Sequence, residues 1–475
     1  MALAHRNYSD AMRTSIVEPL ESRQMFAAGA LDPSFSFDGK ATVNFGGAPA
    51  VAADVAVQAD GKAVVAGTVT FTTRDGGTIN RFAVARFNLD GTLDRTFGPS
   101  RSGTTTFGVG DRGDASASSL AIDLIGNIAV AGTAATSSGK QFAVARLLPN
   151  GLPDTSFDGD GKRTIRIKDQ SSAEDVAIGA DGKIVVAGGD RNGGDYDFAV
   201  ARLRLDGSLD PTFDRDGKRI IGLGANEIAR AVTIDYTGTP GINPNFGKII
   251  LAGHRFGPEY AIVRLSGQGA LDGTFDGNGS FIGKIPGRSS VRINGLVIQP
   301  DEKIVLAGDA LSGSTSLDTN NNTAAFDTSM ILVRHNVNGS IDRSFGAGGN
   351  GVAVVDFGGL ERGGDVINAA NGGLILAGTT SGKYALAGLT RDGRIDTTFG
   401  AGGKVVTDFA ADGTADLVRM AGGKDNRVVV VGGARFKTAR YLDFGAASPG
   451  AANLNLTARS RNTALAGRIF SDLQI

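Results

Sequence analysis

Asp181-Gly-Lys-Ile-Val-Val-Ala-Gly188, followed by Phe198-Ala-Val-Ala-Arg202 and Asp206-Gly-Ser-Leu-Asp-Pro-Thr-Phe213, is the stretch on which the fold turns. The Asp181-Gly182 pair signals a tight hairpin, and the β-branched run after it reads as a strand. Upstream, residues 161–167 alternate like a half-buried strand and residues 175–178 supply a second. Phe198-Ala-Val-Ala-Arg202 makes a fourth, so the unit 161–213 predicts a four-stranded antiparallel meander.

The same unit recurs along the chain. A β-branched run closes on a glycine at Gly67, Gly132, Gly188, Gly253, Gly308, Gly378 and Gly432, a mean period near 61 residues. A second marker, an acidic turn reading Leu-Asp-x-Ser/Thr-Phe or close to it, ends at Phe35, Phe97, Phe157, Phe213, Phe275, Phe345 and Phe399 with the same mean spacing. The third and fourth strands of each unit are apolar at both parities and rich in Ala, so both faces of each sheet are expected to be covered. Seven such sheets predict an all-β, seven-bladed β-propeller built from about 61-residue four-stranded antiparallel repeats. The propeller is expected over residues 31–445, after an N-terminal leader or arm (1–30) and before a C-terminal tail (446–475).

Composition fits this reading and excludes others. Gly contributes 71 of 475 residues, and only seven of the 49 acidic residues are Glu, which points to turns rather than helices. A net charge of −1 argues against nucleic acid as a partner, and no apolar run approaches a membrane span. With no Cys, disulfides, zinc ribbons and thiol catalysis are all excluded.

The quoted segments resemble the bacterial delta-60 repeat, from about Leu31 to Phe444. That resemblance implies a β-propeller in a secreted or cell-surface protein and assigns no reaction. Copies six and seven depart from the pattern, with Gly388 where the other copies have Arg and with no Asp-Gly-Lys turn between Met420 and Arg427. Ahead of the repeats, residues 16–27 resemble the short Leu-Glu-Pro-Arg type leader of some exported bacterial proteins, which implies export.

Several residues are candidates for chemistry. Arg86, Arg146, Arg202, Arg264, Arg334 and Arg440 recur at one repeat position, and Asp94, Asp154, Asp210, Asp272, Asp342 and Asp396 recur at another. A position repeated in so many blades is read as structural, a charge-assisted Arg–Asp bond holding the interblade turn. Asp158 with Asp160, and Asp214 with Asp216, place two carboxylates before a Gly as calcium loops do, without the remaining ligands of such a loop. They are read as turn residues, with calcium binding the weaker alternative and no other cofactor expected. Gly108-Val-Gly-Asp-Arg-Gly113 matches GxGxxG but precedes a strand rather than a helix. His5, His254 and His335, assigned to a tail, a loop and a strand, form no metal spacing.

A binding surface is expected where the repeats vary. Residues 68–81 and 309–329, between the third and fourth strands of their units, differ most in length and emerge at one end of the ring. The expected function is a secreted or surface-associated, non-catalytic interaction scaffold binding an unknown protein or polysaccharide through that face. The alternatives are an enzyme acting on extracellular polysaccharide through a carboxylate pair at the central channel, and a calcium-stabilised adhesive module similar to integrin-type propellers.

Overall fold

The computed structural model describes residues 28–312, 316–317, 324–325, 327–409, 417–423 and 426–442. The leader at 16–27 and the tail from 446 lie outside the described residues, among which there is no helix.

Five separate four-stranded sheets and one of eight strands make up the ring, the eight-stranded sheet being two blades joined by a bridge. Blades 1 to 6 span 50–107, 114–165, 170–221, 227–284, 288–355 and 361–407. In each, strands A to D run from the channel outward, all antiparallel. Blade 3 shows the pattern: Gln170–Ile178 (A), Ile184–Asn192 (B), Asp195–Leu203 (C) and Lys218–Ile221 (D). Blade 7 takes Val418–Gly422, Arg427–Ala434 and Lys437–Leu442 from the C-terminal end. Its outer strand is Lys40–Ala41, paired with Lys437–Leu442 so that the two ends of the chain close the ring.

The phase of the repeat differs from the sequence reading. Lys162–Ile165 belongs to blade 2, where it pairs with Gly139–Leu147, and blade 3 begins at Gln170. The unit 161–213 therefore straddles two blades, and the Leu-Asp-x-Ser/Thr-Phe segment joins C to D within a blade. A periodic pattern has no unique starting point, and only the hydrogen-bond ladder sets where one sheet ends.

The cores lie between blades. In strand B of blade 3, Ile184 and Val186 pack toward blade 2 while Val185 and Ala187 pack toward blade 4. Strand C does the same with unequal sizes: Phe198 and Val200 face blade 4, Ala199 and Ala201 face blade 2. Large on one side and small on the other lets neighbouring sheets interdigitate, which explains apolar residues at both parities. Seven such interblade clusters complete the circle.

The two ends of the ring are unlike. A–B and C–D turns emerge at one end, and B–C hairpins with the D-to-A passages emerge at the other. At this second end the supposed loop 68–81 is mostly strand, since Ala63–Thr72 and Thr78–Phe87 form one long hairpin. In the 309–329 segment, strand B runs to Ser312, strand C starts at Thr328, and a small pair forms between Ser316–Leu317 and Ala324–Ala325. In the 63–87 hairpin one register continues past the ring, which sequence alone reads as loop, whereas the pair at 316–317 and 324–325 is a separate small sheet in a shifted register.

Candidate functional site

On the turn end, the repeated Arg and Asp meet. Arg Nε lies 2.7–2.8 Å from an Asp carboxylate in Arg86–Asp94, Arg146–Asp154, Arg202–Asp210, Arg264–Asp272 and Arg334–Asp342. The guanidinium also covers the Phe of the same turn, 4.6–5.0 Å from the ring centre for Phe97, Phe157, Phe213, Phe275 and Phe345. From there Arg264 and Arg334 reach the next blade, donating to the carbonyls of Val337 and Arg391 at 2.6 Å. Lys62, Lys183, Lys248 and Lys303 add a second cation to four of these carboxylates. Burial alone would raise the Asp272 carboxyl, but hydrogen bonds from Lys248 and Thr274 and the charge of Arg264 outweigh it and hold it down near about 2. In blade 6, Gly388 takes the Arg place, and Asp396 accepts from Thr398 N and Oγ1 at 3.0 and 2.6 Å and from Asn371 at 3.4 Å, with no guanidinium beside it among the described residues.

Arg440 of blade 7 pairs with Asp32, at 2.8 Å, and lies over Phe35. Asp32 was missed as a site residue. The signal was available: the first Leu-Asp-x-Ser-Phe copy has no repeat Arg ahead of it, and the last repeat Arg has no Asp at the usual spacing of eight residues after it.

The glycine of the turn after strand C sits against the preceding blade in blades 1 to 6. At Gly151, φ is +81° and an added Cβ would stand 2.7 Å from the Phe97 ring. The turn thus needs both positive φ and the missing side chain.

The channel is walled by the seven A strands, each packed against the next. In blades 1 to 6 strand A carries a β-bulge, and the bulged residues Ala53, Ser118, Glu174, Arg230 and Asn294 line the channel with Arg419. Just beside the bulge a buried polar girdle joins blades. Asp54 Oδ2 accepts from Ser119 Oγ and Leu120 N, Ser119 Oγ also lies 2.6 Å from Asp175, and Asp175 accepts from Val232 N. Asp365 accepts from Met420 N, and Arg419 donates to the Gly364 carbonyl at 2.9 Å.

Toward the second end, the channel widens into a cavity of about 410 Å³ lined by Arg230, His254, Arg255, Arg292, Asp309 and Arg362 among others. Three cross-strand pairs at one register build it: Ile228 with His254, Arg292 with Asp309, and Arg362 with Thr379. The same register in blades 1 to 3 holds Val51 with Thr68, Ser116 with Thr133, and Ser172 with Gly189. Asp309 is buried, and that burial, only partly offset by Arg292 and Arg362, pushes its carboxyl up to about 6. Burial pushes His254 down to about 4, reinforced by Arg230 and Arg292, so the ring is neutral near pH 7. Glu174, the other carboxylate of the wall, is neutralised by Arg230 at 2.5 Å. Among the described residues, the cavity therefore presents one titratable carboxyl and several guanidinium groups, not a pair of carboxylates.

The remaining candidates lie elsewhere. Asp158 and Asp214 have φ of +51° and +45° and pair with Arg163 and Arg219 at 2.5 and 2.8 Å. Asp160 and Asp216 accept the backbone N–H of Lys162 and Lys218, closing Asx turns. His254 ends a strand, Ile249–Arg255, rather than lying in a loop. His335 ends the strand Thr328–His335, as expected, and is wholly buried, bonded to Tyr260 Oη at 3.0 Å and to the Gly339 carbonyl at 2.7 Å. His5 lies outside the described residues. Residues 108–113 enter a strand at Asp114, and no helix follows.

The chain is a β-propeller repeat protein. The family model described as "Domain of unknown function (DUF5122) beta-propeller" matches residues 58–97, 126–157 and 179–213. Solved structures resembling it include virginiamycin B lyase from Staphylococcus aureus, 12% identical, covering 85% of this chain and 98% of that one at a TM-score of 0.47. Polysaccharide lyase Uly1 is 11% identical, with 82% and 89% covered and a TM-score of 0.43. A protein of unknown function from Dyadobacter fermentans DSM 18053 is also 11% identical, with 85% and 98% covered and a TM-score of 0.40. No curated protein sequence matches.

Proposed function

We propose that this chain is a secreted or surface-associated, non-catalytic scaffold of the bacterial delta-60 type, and that its ligand is anionic. The carrying observation is the one-sided concentration of Arg230, Arg292 and Arg362 in the cavity at the channel mouth. Planar guanidinium groups on a concave, partly dry surface favour carboxylate- or sulfate-bearing polymers. The surface location rests on the repeat resemblance, and the long hairpins at 68–81 and 309–329 emerge at the same end of the ring as the cavity.

The test is retention on immobilised polygalacturonate and on a sulfated glycan, against a neutral glucan, followed by search for new chain ends. Binding to the anionic polymers that drops at least tenfold in the Arg292→Ala/Arg362→Ala double variant, without cleavage, is expected. Equal binding to the neutral glucan, or indifference to the double variant, overturns the reading.

One observation favours a second reading, an enzyme on the same class of polymer. Asp309 is poised near pH 6, where a carboxyl can both hold and release a proton. Under that reading the polymer is cut, and Asp309→Asn abolishes cutting while binding persists.

A further inference from the structure

Blades 4 and 6 both begin strand A with a glutamate that is wholly buried, Glu227 and Glu361. Their settings start alike. Oε1 of each accepts a backbone N–H two residues earlier, Ala225 and Gly359, both at 2.8 Å.

They then diverge at the cross-strand partner. Glu227 is opposite Arg255, whose Nε is 3.0 Å away and which also reaches Glu259. Glu361 is opposite Thr380, which supplies one hydroxyl hydrogen bond at 3.0 Å and no charge. In place of a guanidinium, blade 6 gathers more acid. Oxygens of Asp327, Asp356 and Glu361 all lie within 4.8 Å of one another.

Oε2 of both glutamates is buried with no hydrogen-bond partner, but only Glu227 has a guanidinium on its other oxygen to balance the charge. Among the described residues none of the three carboxylates is in an ion pair, and the neighbouring Lys404 ammonium donates to the backbone carbonyl of Asp356 instead. Like charges so close repel, and a buried carboxylate oxygen without a donor is costly. Burial, together with the charge of Asp356, raises the Glu361 carboxyl accordingly.

We propose that Asp327, Asp356 and Glu361 form a binding site for a divalent cation of the calcium type. Calcium–oxygen bonds of about 2.3–2.6 Å place opposite ligands roughly 5 Å apart, so three oxygens within 4.8 Å fit one coordination shell. The ion does for Glu361 what Arg255 does for Glu227. It also ties two segments together: Asp356 follows strand D of blade 5 in the passage to blade 6, and Asp327 stands at the root of the 309–329 hairpin, its carbonyl accepting from Ser312 N at 2.8 Å. Asp327 and Asp356 are exposed, which leaves coordination positions open to water or to an oxygen-bearing ligand.

The experiment uses the full chain stripped with chelator and titrated with calcium chloride, read by calorimetry and by melting temperature. One site is expected, with the melting temperature rising by about 2–5 °C at roughly a hundredfold excess over Kd. Glu361→Gln and Asp356→Asn should each weaken binding tenfold or more. Thr380→Arg, giving blade 6 the cation of blade 4, should abolish the calcium response without lowering the calcium-free melting temperature. If that variant does not fold, Asp327→Asn carries the same test. The proposal is overturned if neither heat nor a shift is seen up to about 10 mM calcium, tenfold above the weakest such sites. A response that survives Glu361→Gln and Asp356→Asn but vanishes in Asp158→Asn/Asp214→Asn overturns it equally, by locating the ion in the turns.

Discussion

Blades 1 to 3 and blades 4 to 6 share a scaffold and differ in what it carries. The family model reaches only residue 213, the C–D turn of blade 3. Across that border the interior hardly changes: Arg202 over Phe213 in blade 3 and Arg264 over Phe275 in blade 4 repeat one geometry. At the channel mouth, by contrast, Ser116 with Thr133 and Ser172 with Gly189 on one side face Arg292 with Asp309 and Arg362 with Thr379 on the other. The acidic cluster and the 309–329 insertion also fall in the second half. The turn end must fit the neighbouring blade and so tolerates little, whereas the hairpin end meets solvent. Chemistry has accumulated where packing constrains least.

The largest expected effect tests whether the scaffold really is shared. Arg146→Met leaves Asp154 nearly buried with no lysine to replace the lost cation, and should cost about 3–5 kcal/mol in chemical denaturation. Arg202→Met and Arg264→Met, one on each side of the border, retain Lys183 and Lys248 beside the stranded carboxylate and should cost less, about 2 kcal/mol each. A difference of more than about 1 kcal/mol between those two would break the claim of a common interior.

A smaller effect isolates a buried group peculiar to the second half. His335 occupies the strand-C position held by Leu147 in blade 2 and Leu203 in blade 3. Burial depresses its folded pKa to about 4 from 6.5. As pH falls from 6.5, the unfolded chain takes up the proton first, so stability is lost through that window and the loss is complete near pH 4. Wild type should lose about 2–3 kcal/mol more than His335→Leu between pH 6.5 and 4. Parallel curves for the two proteins would show that the ring titrates normally.

The fold was legible because two markers kept one period, and the Arg–Asp turn could be read because both residues recur at fixed spacing. What escaped was whatever depends on register or ring closure. Asp32 and Arg440 are 408 positions apart and meet only because the ends share blade 7. Arg292 and Asp309 look like ordinary hairpin residues until the ladder sets them opposite each other beside Arg362 of the next blade. Glu361 is one glutamate among seven, and its significance lies in Thr380 being where Glu227 has Arg255. The phase error at 161–213 has the same origin, since periodicity carries no information about which ladder a strand joins.

The smallest effect asks whether the charged mouth lowers stability. Asp309 stands where blades 1, 2 and 6 have Thr68, Thr133 and Thr379, so Asp309→Thr returns blade 5 to the common residue. Its folded pKa is raised to about 6, above the ordinary 3.8, so the charged form is disfavoured in the folded chain. The penalty is present in full above pH 6 and fades as pH falls toward 4, where both states are protonated. Asp309→Thr should therefore be more stable than wild type by about 1–2 kcal/mol at pH 7.5, less than the pKa shift alone implies because Arg292 and Arg362 lose a counter-charge. The gain should shrink toward zero by pH 4. A stabilised variant that still binds the anionic polymer would mean that recognition rests on the arginines and that Asp309 costs stability without serving it. A destabilised variant would instead make Asp309 part of the scaffold, and the contrast between the two halves would then describe packing alone.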